Sequence, residues 1–196
     1  MSRQNNSQER TFGYLSTVES AEHGYFGGYL VLSGLGRPLE FHCTAPIRPS
    51  RAQRILYGPT LEPFLLGEQI SGALLSVAKL TPCVVLTDCL AALHARSRFS
   101  VPLVLLAGRT EQTTATSETD SHLAIETASI GAAFTLGSHQ LQLPFGYEQD
   151  ECLVTEALAQ FSQQVDLREP FARIQDAIRE AQRIGGRGTE AHDQAA

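Results

Sequence analysis

The chain has 196 residues, 42% of them hydrophobic and 18% charged, with a formal net charge of -6. That length suits one medium domain with a sizeable core, and the composition excludes a wholly disordered chain. The acidic balance argues against a protein that wraps nucleic acid indiscriminately.

No run approaches the roughly 20 apolar residues of a membrane helix. The opening residues lack the apolar core of a secretory signal. A cytoplasmic location and the absence of a membrane partner follow by elimination. Charge is unevenly spread: residues 37–58 carry Arg37, Arg48, Arg51 and Arg54 against Glu40 alone, a local +3, while residues 59–196 sum to -8. A small anion site in the first third fits this pattern, and a broad phosphate-binding face does not. Four cysteines, Cys43, Cys83, Cys89 and Cys152, are too sparse for a disulfide scaffold, so buried free thiols in a reducing compartment are expected.

Residues 1–11 read as a flexible lead, 12–184 as a single globular domain and 185–196 as a flexible tail. A first strand fits Phe12 to Val18. Tyr25 to Leu32 is a stronger strand, rich in aromatic and branched residues. Gly27 and Gly28 interrupt it and point to a bulge, a close backbone approach or the end of a loop. After the glycine-containing connection Ser33 to Pro38, Leu39 to Thr44 alternates, with Leu39, Phe41 and Cys43 on one face and Glu40, His42 and Thr44 on the other. An antiparallel hairpin is the simplest reading.

Ser50 caps a short expected helix to Tyr57 that places Ala52 and Ile55, or Leu56, against the body. A longer helix from Thr60 to about Lys79 carries the stripe Leu66, Ile70, Ala73 and Val77, flanked by Leu74. Its Gly67 and Gly72 suit close packing against a sheet. Cys83 to Leu86, a compact helix from Asp88 or Cys89 to about Arg96, and Val101 to Leu106 form the clearest βαβ pattern, with Pro102 at a strand start. Arg109 to Ser121 reads as a loop. Strands follow at His122 to Glu126, Ala132 to Leu136 and Gln140 to Leu143, with a tight connection at Gly137 to His139.

Asp150 caps a helix striped by Val154, Leu158, Phe161 and Val165, and a second helix presents Phe171, Ile174, Ile178 and Ala181 before Gly185-Gly186 ends it. The expected fold class is α/β or α+β: a mixed sheet with an N-terminal hairpin, a central βαβ unit and C-terminal helices.

Chemical signals are sparse. The sequence lacks a phosphate-binding P-loop, a His-Glu-x-x-His metal motif and a Gly-x-Ser-x-Gly nucleophile elbow. His42 with Arg48 or Arg51 could surround an anion, although salt bridges to the acidic body serve those arginines equally well. Thr87, Asp88 and Arg109 follow the ends of the central strands, where open α/β sheets form ligand crevices. Asp88 could orient a hydroxyl, bind a cation or act as a base, and its structural alternative is a helix cap. A zinc set from Cys83, Cys89, His94 and Cys43 or His42 lacks compact spacing, so neither metal nor cofactor is expected. Tyr25, Phe26 and Tyr29 near Arg37 resemble a stacking platform but fit a strand core equally well.

Strong packing patterns beside weak chemical motifs favour a cytoplasmic accessory or protein-interaction domain acting within a complex. Its partner would be another protein or a second copy in a homo-oligomer, docked on Phe171, Ile174 and Ile178. The alternative is a small-ligand transferase or hydrolase using Asp88, Arg109 and His42, with Arg48, Arg51 and Thr87 holding a small anionic ligand. Nucleic acid is set aside as a partner because too little positive charge is present to neutralise its backbone.

Overall fold

Alternating apolar residues build a seven-stranded mixed sheet in the order β3-β2-β1-β4-β5-β7-β6. A computed structural model describes residues 10–20, 23–108 and 130–190. The strands are β1 (Thr11–Ser20), β2 (Gly24–Ser33), β3 (Pro38–Cys43), β4 (Val84–Thr87), β5 (Leu103–Leu106), β6 (Ile130–Leu136) and β7 (His139–Pro144). β1, β2 and β3 form an antiparallel meander. β4 lies parallel to β1, and β5 parallel to β4, as the βαβ pattern predicts. The antiparallel β6–β7 pair closes the other edge.

Period-two alternation sends two apolar sets to opposite faces. Phe12, Tyr14, Leu30, Val84, Leu86 and Val104 meet α3 (Asp150–Gln164) and α4 (Glu169–Glu190). Leu15, Tyr29, Val31, Val85 and Leu103 lie under a second layer. That layer consists of a π helix (Pro63–Ser71), α2 (Gly72–Val77) and a 3₁₀ helix (Leu90–Arg98). Each fully buried leucine or phenylalanine contributes roughly 1.5–3 kcal/mol of burial.

Gly27 and Gly28 of β2 are close approaches, one to each layer. A Cβ on Gly27 would stand 2.2 Å from Ile70 Cγ2, and one on Gly28 2.4 Å from Ile174 Cγ2. Backbone pairing with β1 is regular through both positions, so neither is a bulge.

Several sequence expectations are corrected. The stripe of the long helix shifts because its first part is π-helical, with more residues per turn than an α helix. Leu61, Leu65, Leu66, Ile70 and Leu74 are buried, while Ala73 and Val77 are exposed. Gly67 packs against the 3₁₀ helix and not the sheet: a Cβ there would stand 2.5 Å from the carbonyl oxygen of Ala91. The short helix α1 (Arg51–Tyr57) has the expected Ser50 capping box but buries no residue: Ile55 and Leu56 are exposed. Asp150 is the first residue of α3, and its carboxylate accepts from Arg96 Nε at 2.8 Å instead of capping.

Helix α4 runs past Gly185-Gly186 to Glu190; glycine weakens a helix by about 1 kcal/mol without forcing a stop. Cys43, Cys83 and Cys152 are exposed, not buried, because β3 is an edge strand and the other two sit at element ends. The expected His122 to Glu126 strand and Arg109 to Ser121 loop lie outside the described residues.

Candidate functional site at the C-terminal rim of the parallel strands

Three strands, β1, β4 and β5, run parallel, so their C-terminal ends share one rim, where loops and helix starts converge in α/β sheets. Asp88 stands there directly after β4. The register Leu15↔Thr87 brings Ser16 of β1 beside it, and Ser16 Oγ donates to Asp88 Oδ2 at 2.8 Å. Gln175 of α4 hydrogen-bonds the same carboxyl from above. Ser16 is fully buried, whereas Asp88 keeps an exposed flank. Crowding by protein pushes the Asp88 carboxyl above its ordinary value, against the downward pull of its hydrogen bonds to Ser16, its own backbone N–H and Gln175.

Asp88 is therefore no helix cap. The cap position of the 3₁₀ helix is Cys89, which makes no side-chain capping bond. Thr87 takes the local role: it is buried, and its Oγ1 accepts the Cys89 backbone N–H at 3.2 Å. Burial also raises the Cys89 thiol above its ordinary value, the reverse of an activated nucleophile.

The remaining predicted residues are not gathered around Asp88. Arg109 lies outside the described residues. His42 is on β3, separated from β4 by both β2 and β1, and pairs with Tyr29 on the opposite face of the sheet. Its Nε2 is 2.6 Å from Glu40 Oε1, and Glu40 also accepts the backbone N–H groups of Lys79 and Leu80. Glu40 thus ties the edge strand to the segment after α2, with His42 bracing its carboxylate.

Arg48 and Arg51 do belong to the end of the sheet that carries Asp88. The bridge Tyr25↔Ile47 sets the chain beside the start of β2, next to the end of β1. A Cβ on Gly24 would meet the Arg48 side chain at 2.9 Å. From there α1 projects on the side of the π helix, with Arg51, Arg54, Ile55 and Leu56 all exposed. Ser16 and Gln175 escaped the sequence reading because one lies in a poorly patterned strand and the other on a helix read for its apolar stripe. Only the β1–β4 register brings them to Asp88.

A cavity of about 180 Å³ lies at the other end of β4 and β5, lined by Tyr29, Val85, Phe99 and Leu103 among others. It is remote from the rim. Among the described residues no helix is long and apolar enough to cross a membrane.

These features define a three-layer protein with a mixed sheet and a polar rim at the ends of its parallel strands. Compared with known proteins, the chain matches no family model and no curated protein. Among solved structures it is similar to the catalytic domain of human endonuclease V, at 15% identity and a TM-score of 0.53 over 91% of this chain and 85% of that one. A second structure of human endonuclease V aligns at 17% identity and a TM-score of 0.47, covering 92% of this chain and 87% of that one. Endonuclease V of Ciona intestinalis, in complex with inosine-containing DNA, aligns at 18% identity and a TM-score of 0.36, covering 66% of this chain and 60% of that one. The first match establishes a shared fold.

That finding corrects two expectations. The accessory or protein-interaction reading fails because its intended docking face is core, and the fold is one shared with the catalytic domain of human endonuclease V. Phe171, Ile174 and Ile178 are 6%, 0% and 2% exposed, packed on β1 and β2. The exclusion of nucleic acid also falls, since it rested on overall charge and not on fold.

Nuclease catalysis often uses divalent metal, with two ions clamped by clustered acidic groups. The described residues do not supply such a cluster. Among the described residues no group of three or more His, Cys, Asp or Glu side chains could hold an ion. Where β1 faces Asp88, the neighbour is a serine hydroxyl that donates to it.

Proposed function

We propose that this protein binds nucleic acid at the end of the sheet that carries Asp88. The observation that carries the reading is α1, a helix with no buried residue that displays Arg51 and Arg54 beside the apolar Ile55 and Leu56. Only Tyr57, stacked on Phe64, anchors this helix to the core, which leaves its Arg51, Arg54, Ile55 and Leu56 side chains open to a partner. Two guanidinium groups supply bidentate donors to phosphate, and the apolar pair supplies contact for bases. The local excess of +3 over residues 37–58 supports a short contact despite the acidic whole. The likeness to the human endonuclease V catalytic domain supports nucleic acid as the class of partner. Four unbridged cysteines, three of them exposed, support a cytoplasmic site of action.

Fluorescence anisotropy with a labelled single-stranded oligonucleotide tests this. Binding with Kd on the order of 10⁻⁶ to 10⁻⁴ M that weakens with salt is expected. Arg51→Glu with Arg54→Glu should abolish it. Because α1 is exposed, that double variant should change folding stability by no more than about 0.5 kcal/mol per site. Unaltered affinity in a folded double variant would refute the assignment.

A further inference from the structure

Asp88 stands at the C-terminal rim of the parallel strands, where α/β sheets form ligand crevices, and its neighbours there are hydrogen-bond donors. We propose that Ser16, Asp88 and Gln175 form a hydrogen-bonded cluster that does not itself hold a divalent cation, so that Asp88 serves a bound strand without metal-assisted cleavage. The proposal rests on the nucleic-acid reading for its substrate class, and on the geometry of the cluster for the rest.

Successive residues of β1 that face α4 are Phe12, Tyr14, Ser16 and Val18, and none is acidic. Ser16 is fully buried, and its hydroxyl proton is directed at Asp88 Oδ2 over 2.8 Å. A hydroxyl acting as donor presents its hydrogen, not a lone pair, toward the carboxylate. An ion placed between the two oxygens would break that bond, while gaining only a neutral ligand in return. Gln175 adds a second hydrogen bond from α4. Donors of this kind satisfy a lone carboxylate, whereas a divalent cation is held by carboxylates that repel one another in its absence. The half-buried Cys89 thiol beside Asp88 supplies no further charge, since its thiolate is disfavoured by burial.

The test uses Mn²⁺ and the labelled oligonucleotide with the full chain. Calorimetric titration of the wild type with Mn²⁺ should show no saturable binding below on the order of 1 mM. Ser16→Asp installs a second carboxylate against Asp88 and should gain Mn²⁺ affinity by about tenfold or more. Oligonucleotide binding should be the same in EDTA as in Mg²⁺, with no cleavage in Mg²⁺ or Mn²⁺. Saturable Mn²⁺ binding by the wild type that Asp88→Asn abolishes would overturn the proposal, as would metal-dependent cleavage lost in Asp88→Asn. Should Ser16→Asp fail to fold by circular dichroism, the comparison of wild type with Asp88→Asn still decides. Should the oligonucleotide not bind at all, the functional reading falls, while the Mn²⁺ titration judges the cluster independently.

Discussion

Gly28 of β2 lies directly beneath Ile174 of α4, so close that a Cβ there would stand 2.4 Å from Ile174 Cγ2 and 3.0 Å from Ile178 Cδ1. The contact turns the most amphipathic helix of the chain from an expected docking face into a lid on the sheet. Gly28→Ala should overpack this seam and cost about 1–3 kcal/mol. Gly34→Ala, whose Cβ would meet only the Arg10 carbonyl oxygen at 3.6 Å, should be near neutral. Thermal unfolding of the two variants reads the difference, and equal midpoints would contradict the packing. Ile174→Asp makes the same point more severely, since it buries a charge where a docking face would have tolerated one.

Tyr14 presents an unusual saving. Its ring is fully buried, edge-on to Phe171 with centroids 5.2 Å apart, and its hydroxyl has no hydrogen-bond partner among the described residues. Burial pushes that phenol above its ordinary value. An unsatisfied buried hydroxyl costs about 1–3 kcal/mol. Tyr14→Phe should therefore leave the protein as stable or more stable in urea, and a clear loss would show that the hydroxyl has a partner in solution.

Arg96 and Asp150 join the 3₁₀ helix to the start of α3, and their side chains are only 11% and 6% exposed. The guanidinium also lies 4.3 Å from the Tyr147 ring centroid. Removing one member strands the other, so Asp150→Ala should cost about 3–5 kcal/mol. Replacing both with apolar residues of similar volume should cost far less. A double-mutant cycle in urea measures the coupling, and strictly additive losses would rule out the pairing.

Glu40 gives the acid response. Its hydrogen bond with His42 and those from Lys79 and Leu80 pull the carboxyl down to about 2 from an ordinary 4.5. A value lowered in the folded state adds stability that is complete above 4.5 and disappears as pH falls toward 2. Urea midpoints should fall over that interval in the wild type and change less in Glu40→Gln. Parallel curves for both proteins would remove Glu40 as a source.

Local pattern alone carried much of the architecture. Aromatic and branched residues marked β2, alternation marked β3 and β7, and the continuous apolar runs of β4 and β5 with Pro102 at a strand start revealed the parallel centre. The Ser50 cap and the Val154, Leu158, Phe161 stripe were equally plain, because each depends on neighbours within a turn or a strand. What stayed hidden depends on partners far along the chain. Nothing near Phe171 or Ile178 tells whether their stripe meets this sheet or another protein. A π-helical segment moves the buried stripe of its helix without a residue to announce it. Asp88 looks the same beside a serine as beside a second carboxylate. Only the pairing of β1 with β4 put Ser16 there, since side-chain chemistry is written locally and proximity across a sheet is settled by strand order and register.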